Sequence, residues 1–183
     1  MNARERLLRR VGLMCVDFAR QLSYHRALEE HVHSFKQSFW IIMYNNTIDL
    51  AVLDWFHLFG SHKDDLHWKQ VVCDIDAFRN HLLQAIHMTI DEWETYWESI
   101  KDYRDKDVAH IEVRPVSVVP EMTIALRAVA HYYSVVLTEL STFGDYSAWP
   151  KHIESYYQKS LDQSKAISVL AYRASCDIRE KVF

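Results

Sequence analysis

The sequence predicts an all-α fold, and three observations lead to that prediction. Only three glycines and three prolines occur in 183 residues, too few for the many turns of a β sandwich or barrel. Apolar residues recur at three- and four-residue steps along most of the chain, the period of an amphipathic helix. No repeat, low-complexity segment or linker divides the chain. We therefore expect one domain over residues 1–183, an antiparallel bundle of about five to six helices.

Two long helices are predicted in the first part of the chain. The first spans residues 3 to about 24, and the second spans residues 28–59 with an interruption near Asn45 and Asn46. Apolar residues surround the second helix almost completely, so we expect it to be the central, most buried helix of the bundle. Gly60 ends it, since glycine commonly follows a helix C-terminus.

The later elements are predicted from turn residues and apolar spacing. A polar loop over residues 61–70 is followed by a short helix over about 74–87 and a helix over 93–111. An extended connector over 112–120 then leads to a helix from Pro120 to about Leu140. A turn-rich break over 141–150 precedes a long helix from Ile153. Pro120 suits the first position of a helix, because the backbone N–H there makes no intrahelical hydrogen bond and its absence in proline costs nothing.

The helix over residues 93–111 has a clear start signal and a break in its apolar face. Thr89 and Glu92 form a predicted capping box, a hydroxyl at the N-cap with a carboxylate three residues later. The apolar face follows at three- and four-residue steps: Ile90, Trp93, Trp97 and Ile100. The same steps then reach Arg104 and Asp107, charged groups that are costly on a buried face unless paired or open to a cleft. Such a break marks a candidate functional site.

Arg104 also stands six positions before a histidine, His110. Two other arginine–histidine pairs have similar spacing: Arg20 with His25, and Arg26 with His31. Only the Arg104 pair has a small polar residue, Asp105, directly after the arginine and interrupts an apolar face. The sequence has no glycine-rich phosphate loop, no nucleophile elbow and no His-Glu-x-x-His motif, which removes the commonest enzyme signatures.

This segment resembles the motif of the HEPN superfamily of helical bundles, in which an arginine, a polar residue and a later histidine lie on one late helix. The resembling residues are Tyr103, Arg104, Asp105, Lys106, Ala109 and His110. Residues 55–61 and 66–68 are also similar to bacterial HEPN-like proteins. The resemblance is close over the motif helix and loose over residues 55–110, and the rest of the chain matches only as generic helices.

The resemblance implies a homodimer whose two motif helices face one another. Many members are metal-independent endoribonucleases, often toxins or phage-defence effectors, whereas others are inactive binding scaffolds. On this basis the expected catalytic residues are Arg104, Asp105 and His110, and the expected substrate-binding residues are Lys106 and Tyr103. RNA is the expected substrate and an antitoxin protein an expected partner, with no cofactor and no metal.

Helix geometry is compatible with a site shared between two copies. Six residues along an α-helix separate Arg104 and His110 by about 120° and about 9 Å, so one helix does not bring them together. Two copies of the helix related by a two-fold axis would bring Arg104 and His110 together. His110 would then move a proton at the ribose 2′-hydroxyl or the leaving 5′-oxygen, and Arg104 would hold the phosphate. The expected product is a 2′,3′-cyclic phosphate.

Two alternatives stay open at this point. Arg104 and Asp107 are three residues apart and would pair on a solvated face. The chain would then be a catalytically inactive helical module that binds a partner protein or a nucleotide. His57, His62 and His67 flank the Gly60 turn and would bind zinc if the loop folds back.

Composition limits the remaining functions. A net charge of −4 and a pI near 6.2 exclude a protein that coats nucleic acid with its whole surface, so any such contact is local. Three distant cysteines imply no disulfide framework. No apolar run approaches the roughly 20 residues that span a bilayer. We expect a soluble, cytoplasmic protein without membrane contact.

Most aromatic residues are interpreted as core rather than as base-stacking platforms. The two clusters in question are Trp93, Tyr96 and Trp97 on one helix, and Tyr132 and Tyr133 on another. His131, next to the second cluster, is interpreted as a hydrogen-bonded core histidine.

Overall fold

The computed structural model describes residues 1–108 and 119–180, with the backbone alone for residues 107 and 108. Seven α-helices follow one another there: α1 Ala3–Glu29, α2 Ser38–Phe59, α3 Trp68–Val71, α4 Ile75–Ile86, α5 Ile90–Tyr103, α6 Met122–Leu140 and α7 Ile153–Ser175. A 3-10 turn, Val32–Ser34, precedes α2, and a π-helical turn, Arg104–Val108, continues α5. No strand occurs in this part of the chain, which confirms the all-α prediction.

The central helix is α1, so the prediction that the second helix is the most buried was wrong. α2, α6 and α7 all pack on α1. Its Arg4 binds Glu139 near the end of α6, and its Arg26 donates to Thr123 near the start of α6, so α1 and α6 are antiparallel. The hydroxyl of Ser23 lies 2.6 Å from that of Ser160 in α7.

Small residues let neighbours approach α1 closely. A Cβ at Gly12 would lie 2.5 Å from the Trp149 ring, and Ala19, Ser23 and Ala27 are buried along the same helix. The helix thus buries residues on several sides although its sequence alternates charge and leucine.

The break predicted near Asn45 and Asn46 lies earlier in the chain. α1 continues to Glu29, and α2 begins at Ser38 and passes through both asparagines, which are exposed. The poor helix propensity of asparagine amounts to roughly 0.7 kcal/mol per residue at most, and tertiary packing overrides it. The side chain of Gln37, just before α2, donates to the Ser175 carbonyl at 2.8 Å and so ties this break to the end of α7.

An aromatic core joins α2, α5 and α6, as predicted for both clusters. Trp55 stacks on Phe59 with ring centroids 5.4 Å apart, and Phe59 meets Tyr132 edge-on at 5.9 Å. Trp93 packs on Trp55 at 5.9 Å. The indole of Trp97 is half-buried and donates to the Phe59 carbonyl at 2.8 Å, which fastens α5 to the end of α2.

The predicted helix ends are mostly confirmed. Thr89 and Glu92 form the capping box of α5, and Asp74 caps α4. Pro120 is not the first residue of α6, because Glu121 is the N-cap and its carboxylate accepts from the Thr123 amide. The loop predicted over residues 61–70 contains the first turn of α3.

The apolar residues in the later part of α7 are not all buried: Ile167 and Leu170 are 66% and 68% exposed. The connector predicted over residues 112–120 lies, apart from its last two residues, outside the described residues. Among the helices that the structure does describe, none is long and apolar enough to cross a membrane.

Candidate functional site

The candidate site lies where the end of α5 packs on the middle of α2. Tyr103, the last residue of α5, is buried, and its hydroxyl donates to Asp49 Oδ1 at 2.8 Å. The buried face of α5 runs through Trp93, Tyr96, Ile100 and Tyr103. Arg104 therefore lies at the edge of the buried face rather than at its centre, which corrects the predicted break in the apolar stripe.

Arg104 is held on an aromatic ring. Its Cζ lies 4.2 Å from the centroid of Phe56, a cation–π contact, and its Nη2 lies 2.7 Å from Asp105 Oδ1. Its Nε is buried and has no hydrogen-bond partner among the described residues. The side chain is 32% exposed, so the far end of the guanidinium reaches solvent. One donor of this group is therefore unused within the described part of the chain.

Gly60 determines where the Phe56 ring can lie. Gly60 is the C-cap of α2 and has a φ of −86°. It therefore does not adopt the left-handed conformation that is usual for glycine at helix ends. A Cβ at Gly60 would lie 2.1 Å from Cδ1 of Phe56. The glycine therefore leaves room for the ring on which Arg104 rests.

The next two predicted site residues lie on the same turn. Asp105 and Lys106 are both half-buried, and Lys106 forms an ion pair with Asp102 one turn earlier. The turn thus pairs Arg104 with Asp105 and Lys106 with Asp102, which places carboxylates beside both cations. An anionic ligand at this turn has to compete with those carboxylates.

A π-helical turn begins at Arg104. Residues Arg104–Val108 follow an i→i+5 pattern, so the rotation of an α-helix does not apply through them. The separation of about 120° was calculated for an α-helix, a geometry that these five residues do not have. His110 itself lies outside the described residues, and its pairing with Arg104 stays a prediction. Single π turns inside α-helices are frequent at functional sites.

The two other arginine–histidine pairs are structural. Arg20 Nε donates to the Tyr156 hydroxyl at 3.0 Å, and Arg26 donates to the Tyr157 hydroxyl at 2.9 Å. Both bonds join α1 to α7. His25 Nδ1 lies 3.1 Å from the Tyr44 carbonyl of α2. Arg104 instead makes its ion pair with its neighbour in sequence.

The three loop histidines do not converge on a metal. His57 Nδ1 lies 2.6 Å from Asp64 Oδ2, whereas His62 stacks on His67 with centroids 4.9 Å apart. His67 accepts from the Lys69 amide, and burial lowers its pKa to about 4. Within residues 1–108 and 119–180, no three histidine, cysteine, aspartate or glutamate side chains form a group that could hold a metal ion.

An exposed apolar surface adjoins Arg104, and sequence reasoning missed it. We call it the α2 apolar face; its exposed members are Phe39, Ile42, Met43, Leu50 and Leu53, which share one side of the helix. Leu53 is one turn before Phe56, the ring that carries Arg104. The available signal was the apolar composition all round α2, which was interpreted as burial.

No family model, no curated protein sequence and no solved structure matches this chain. The resemblance to the HEPN superfamily therefore rests on the residues of the chain alone.

Proposed function

We propose that this protein is a metal-independent endoribonuclease of the HEPN type, acting as a toxin or defence effector, with a site shared between two subunits. One observation carries the proposal. Arg104 is held on the Phe56 ring at a π-helical turn, and its buried Nε lacks a hydrogen-bond partner in the described structure. A surface arginine without a ligand would not normally leave a buried donor unused.

The chemistry follows from the side chains of the motif. His110 takes the proton of the ribose 2′-hydroxyl as the 2′-oxygen attacks phosphorus, or returns a proton to the leaving 5′-oxygen. Arg104 donates to the phosphate oxygens and stabilises their developing charge. Bond formation at the 2′-oxygen and cleavage to the 5′-oxygen leave a 2′,3′-cyclic phosphate and a 5′-hydroxyl.

The α2 apolar face supports a dimer. Its exposed residues Phe39, Ile42, Leu50 and Leu53 recur over four turns along one helix, the spacing of a helix–helix contact. A two-fold axis across this face would bring the two copies of Leu53, and with them the two copies of Arg104, towards the interface. RNA would then bind along the seam between subunits.

One observation favours a second candidate, an inactive helical module that binds a partner protein. Arg104 already pairs with Asp105, and the exposed residues of the α2 apolar face recur along one side of a helix, the pattern by which a helix binds another helix. In this case the same surface binds a protein such as an antitoxin, and Arg104 contributes to packing.

RNA cleavage tests the proposal directly. Purified protein in excess chelator should cleave a mixed-sequence RNA and leave a 2′,3′-cyclic phosphate, identified by mass. Arg104→Ala and His110→Ala should each lower the rate by roughly 10²- to 10⁴-fold. Arg10→Ala and His33→Ala, which change exposed residues far from the motif, are the matched controls.

Mixing the two inactive variants tests the shared site. If each site takes Arg104 from one subunit and His110 from the other, the mixed dimer has one intact site, and re-equilibrated mixtures should recover about a quarter of the wild-type rate. No recovery would contradict a shared site. A dimeric wild type that never cleaves RNA would favour the second candidate.

Sedimentation locates the interface. The wild type should be a dimer at about micromolar concentration, and Leu53→Asp should make it monomeric because it places a charge on the contact face. Leu170→Asp changes an equally apolar and more exposed residue on α7 and should leave the dimer intact. A monomeric wild type would remove the shared site.

A further inference from the structure

A second cleft, separate from the Arg104 turn, lies between the end of α4, the middle of α6 and the start of α7. Its volume is about 430 Å³, within the range of small-molecule sites. Five basic side chains line it, together with one acid, Glu154: His87, Arg127, His131, Lys151 and His152. We call it the α4–α6–α7 cleft.

The two permanent cations of this cleft have no carboxylate partner among the described residues. Arg127 and Lys151 are exposed, and neither makes an ion pair within residues 1–108 and 119–180. Glu154 is the one acid among the residues lining the cleft, so the local charge is positive in a chain whose net charge is −4. An anion bound here therefore gains electrostatic attraction to Arg127 and Lys151 without displacing a carboxylate of the described residues from either side chain.

His131 supplies a buried polar atom. Its Nε2 is buried and has no hydrogen-bond partner in the described structure, and its ring packs against Phe78 with centroids 5.0 Å apart. The expectation of a hydrogen-bonded core histidine was therefore wrong at this atom. Burial, with a smaller contribution from His81, lowers the pKa of His131 and favours its neutral form. A neutral imidazole can still donate one hydrogen bond from Nε2.

The first residues of α7 also line the cleft. His152 is the N-cap residue of α7, and its side chain makes no capping hydrogen bond. The first amides of a helix lack intrahelical partners and carry the positive end of its dipole. The hydroxyl of Tyr133 donates to the Pro150 carbonyl at 2.6 Å and so positions Lys151 and His152 beside α6.

Local strain occurs at the opposite wall. His87 ends α4 with φ 57° and ψ 46°, a left-handed conformation that glycine adopts more easily, and its amide caps the helix. In this conformation a histidine lowers the free energy of unfolding by about 1 kcal/mol relative to glycine.

We propose that the α4–α6–α7 cleft binds a phosphate group, either free inorganic phosphate or the phosphate of a small phosphorylated molecule. Arg127 and Lys151 provide the charge, and the His131 imidazole and the first turn of α7, which also line the cleft, offer hydrogen-bond donors. His87 and His152 add two further imidazoles to the lining, and Glu154 is its one acid. This inference does not depend on ribonuclease activity, since no residue of the Arg104 turn lines the cleft.

Calorimetric titration of the full chain tests this inference. The probes are inorganic phosphate and adenosine monophosphate, each at constant ionic strength, with chloride as the reference anion. The wild type should bind at least one of them saturably at about millimolar concentration or below. Tighter binding of the monoester than of phosphate identifies a phosphorylated small molecule as the ligand, and the reverse order identifies free phosphate.

Matched variants assign the binding to the cleft. Arg127→Gln and Lys151→Gln should each raise Kd about tenfold. Arg10→Gln combined with Lys36→Gln removes two exposed cations elsewhere and should leave Kd unchanged. His131→Leu should weaken binding while the melting temperature stays equal or rises, because a buried unpaired polar atom is removed.

The inference is overturned by either of two results. One is the absence of saturable binding of both probes up to roughly 10 mM. The other is wild-type affinity in the Arg127→Gln/Lys151→Gln double variant, which would place any bound phosphate elsewhere.

Discussion

The two halves of α2 have similar apolar content and opposite environments. In the first half, Phe39 and Ile42 are 56% and 53% exposed. In the second half, Val52 and Trp55 are fully buried, and Phe59 nearly so. The second half of the helix is thus mostly core, whereas the first half keeps a broad exposed apolar side even though its Trp40 and Ile48 are buried.

The difference shows that burial depends on the neighbours of a helix as much as on its composition. The rings of Trp93 from α5 and Tyr132 from α6 pack on the second half of α2. The first half has α1 on one side, through the stacking of His25 on Tyr44, and Glu180 at its N-terminus, where the carboxylate accepts from the Ser38 amide. Its outer side is exposed in the described part of the chain, and this side leads to Arg104.

The largest expected effect of a substitution on the free energy of unfolding is in the second, covered half of α2. Trp55→Ala removes a side chain that contacts four other aromatic rings and should lower the free energy of unfolding by about 3–5 kcal/mol. Urea denaturation at neutral pH measures it. A loss below about 1 kcal/mol would contradict the view that this half of α2 forms the core.

A pH-dependent effect is expected at Asp54, in the same half. Burial and the charge of Asp17 raise the pKa of Asp54 from 3.8 to about 7, while His57 lowers it slightly. Between these pH values the folded state holds a proton that the unfolded state has released, so this carboxyl makes the protein less stable as pH rises from about 4 to about 7.

Asp54→Asn should therefore stabilise the protein at pH 8 by up to a few kcal/mol, at about 1.4 kcal/mol per pKa unit, and have little effect at pH 4. Asp65→Asn, at an exposed carboxylate, should show no such dependence. Equal effects of Asp54→Asn at the two pH values would show that the carboxyl is not desolvated. Urea denaturation at both pH values measures the difference.

The smallest effect is expected in the uncovered half. Ile42→Ser should change the unfolding free energy of the monomer by no more than about 0.5 kcal/mol, because the side chain is already exposed. Denaturation at several protein concentrations separates this from any loss of dimer stability. A cost close to that of Trp55→Ala, independent of concentration, would show that the two halves are equally buried.

The candidate site was only partly predictable. The position of Arg104 near a helix end and its adjacent Asp105 were visible in the sequence, and the structure pairs the two. Phe56 was not predicted as the support of Arg104, because it is 48 positions away and its contact depends on how α5 lies on α2. The π turn was also missed, since nothing in the residues 104–108 distinguishes it from an α-helical turn.

The α4–α6–α7 cleft was not predictable at all. Arg127 and Lys151 are separated by a helix end and a turn-rich break, and His87 is further still along the chain. No motif relates them. Their proximity results from the packing of α4 on α6 and from the hydrogen bond of Tyr133 to Pro150.

By itself, the sequence determined the helical class, the capping box at Thr89 and Glu92, the bounds of α4 and the aromatic core, because caps and apolar periodicity act within a few residues of the chain. Only the tertiary structure decided that α1 is central, that half of α2 is uncovered and that Arg104 rests on Phe56. Those properties depend on contacts between residues far apart in sequence, and an apolar helix carries no local record of which side another helix will cover.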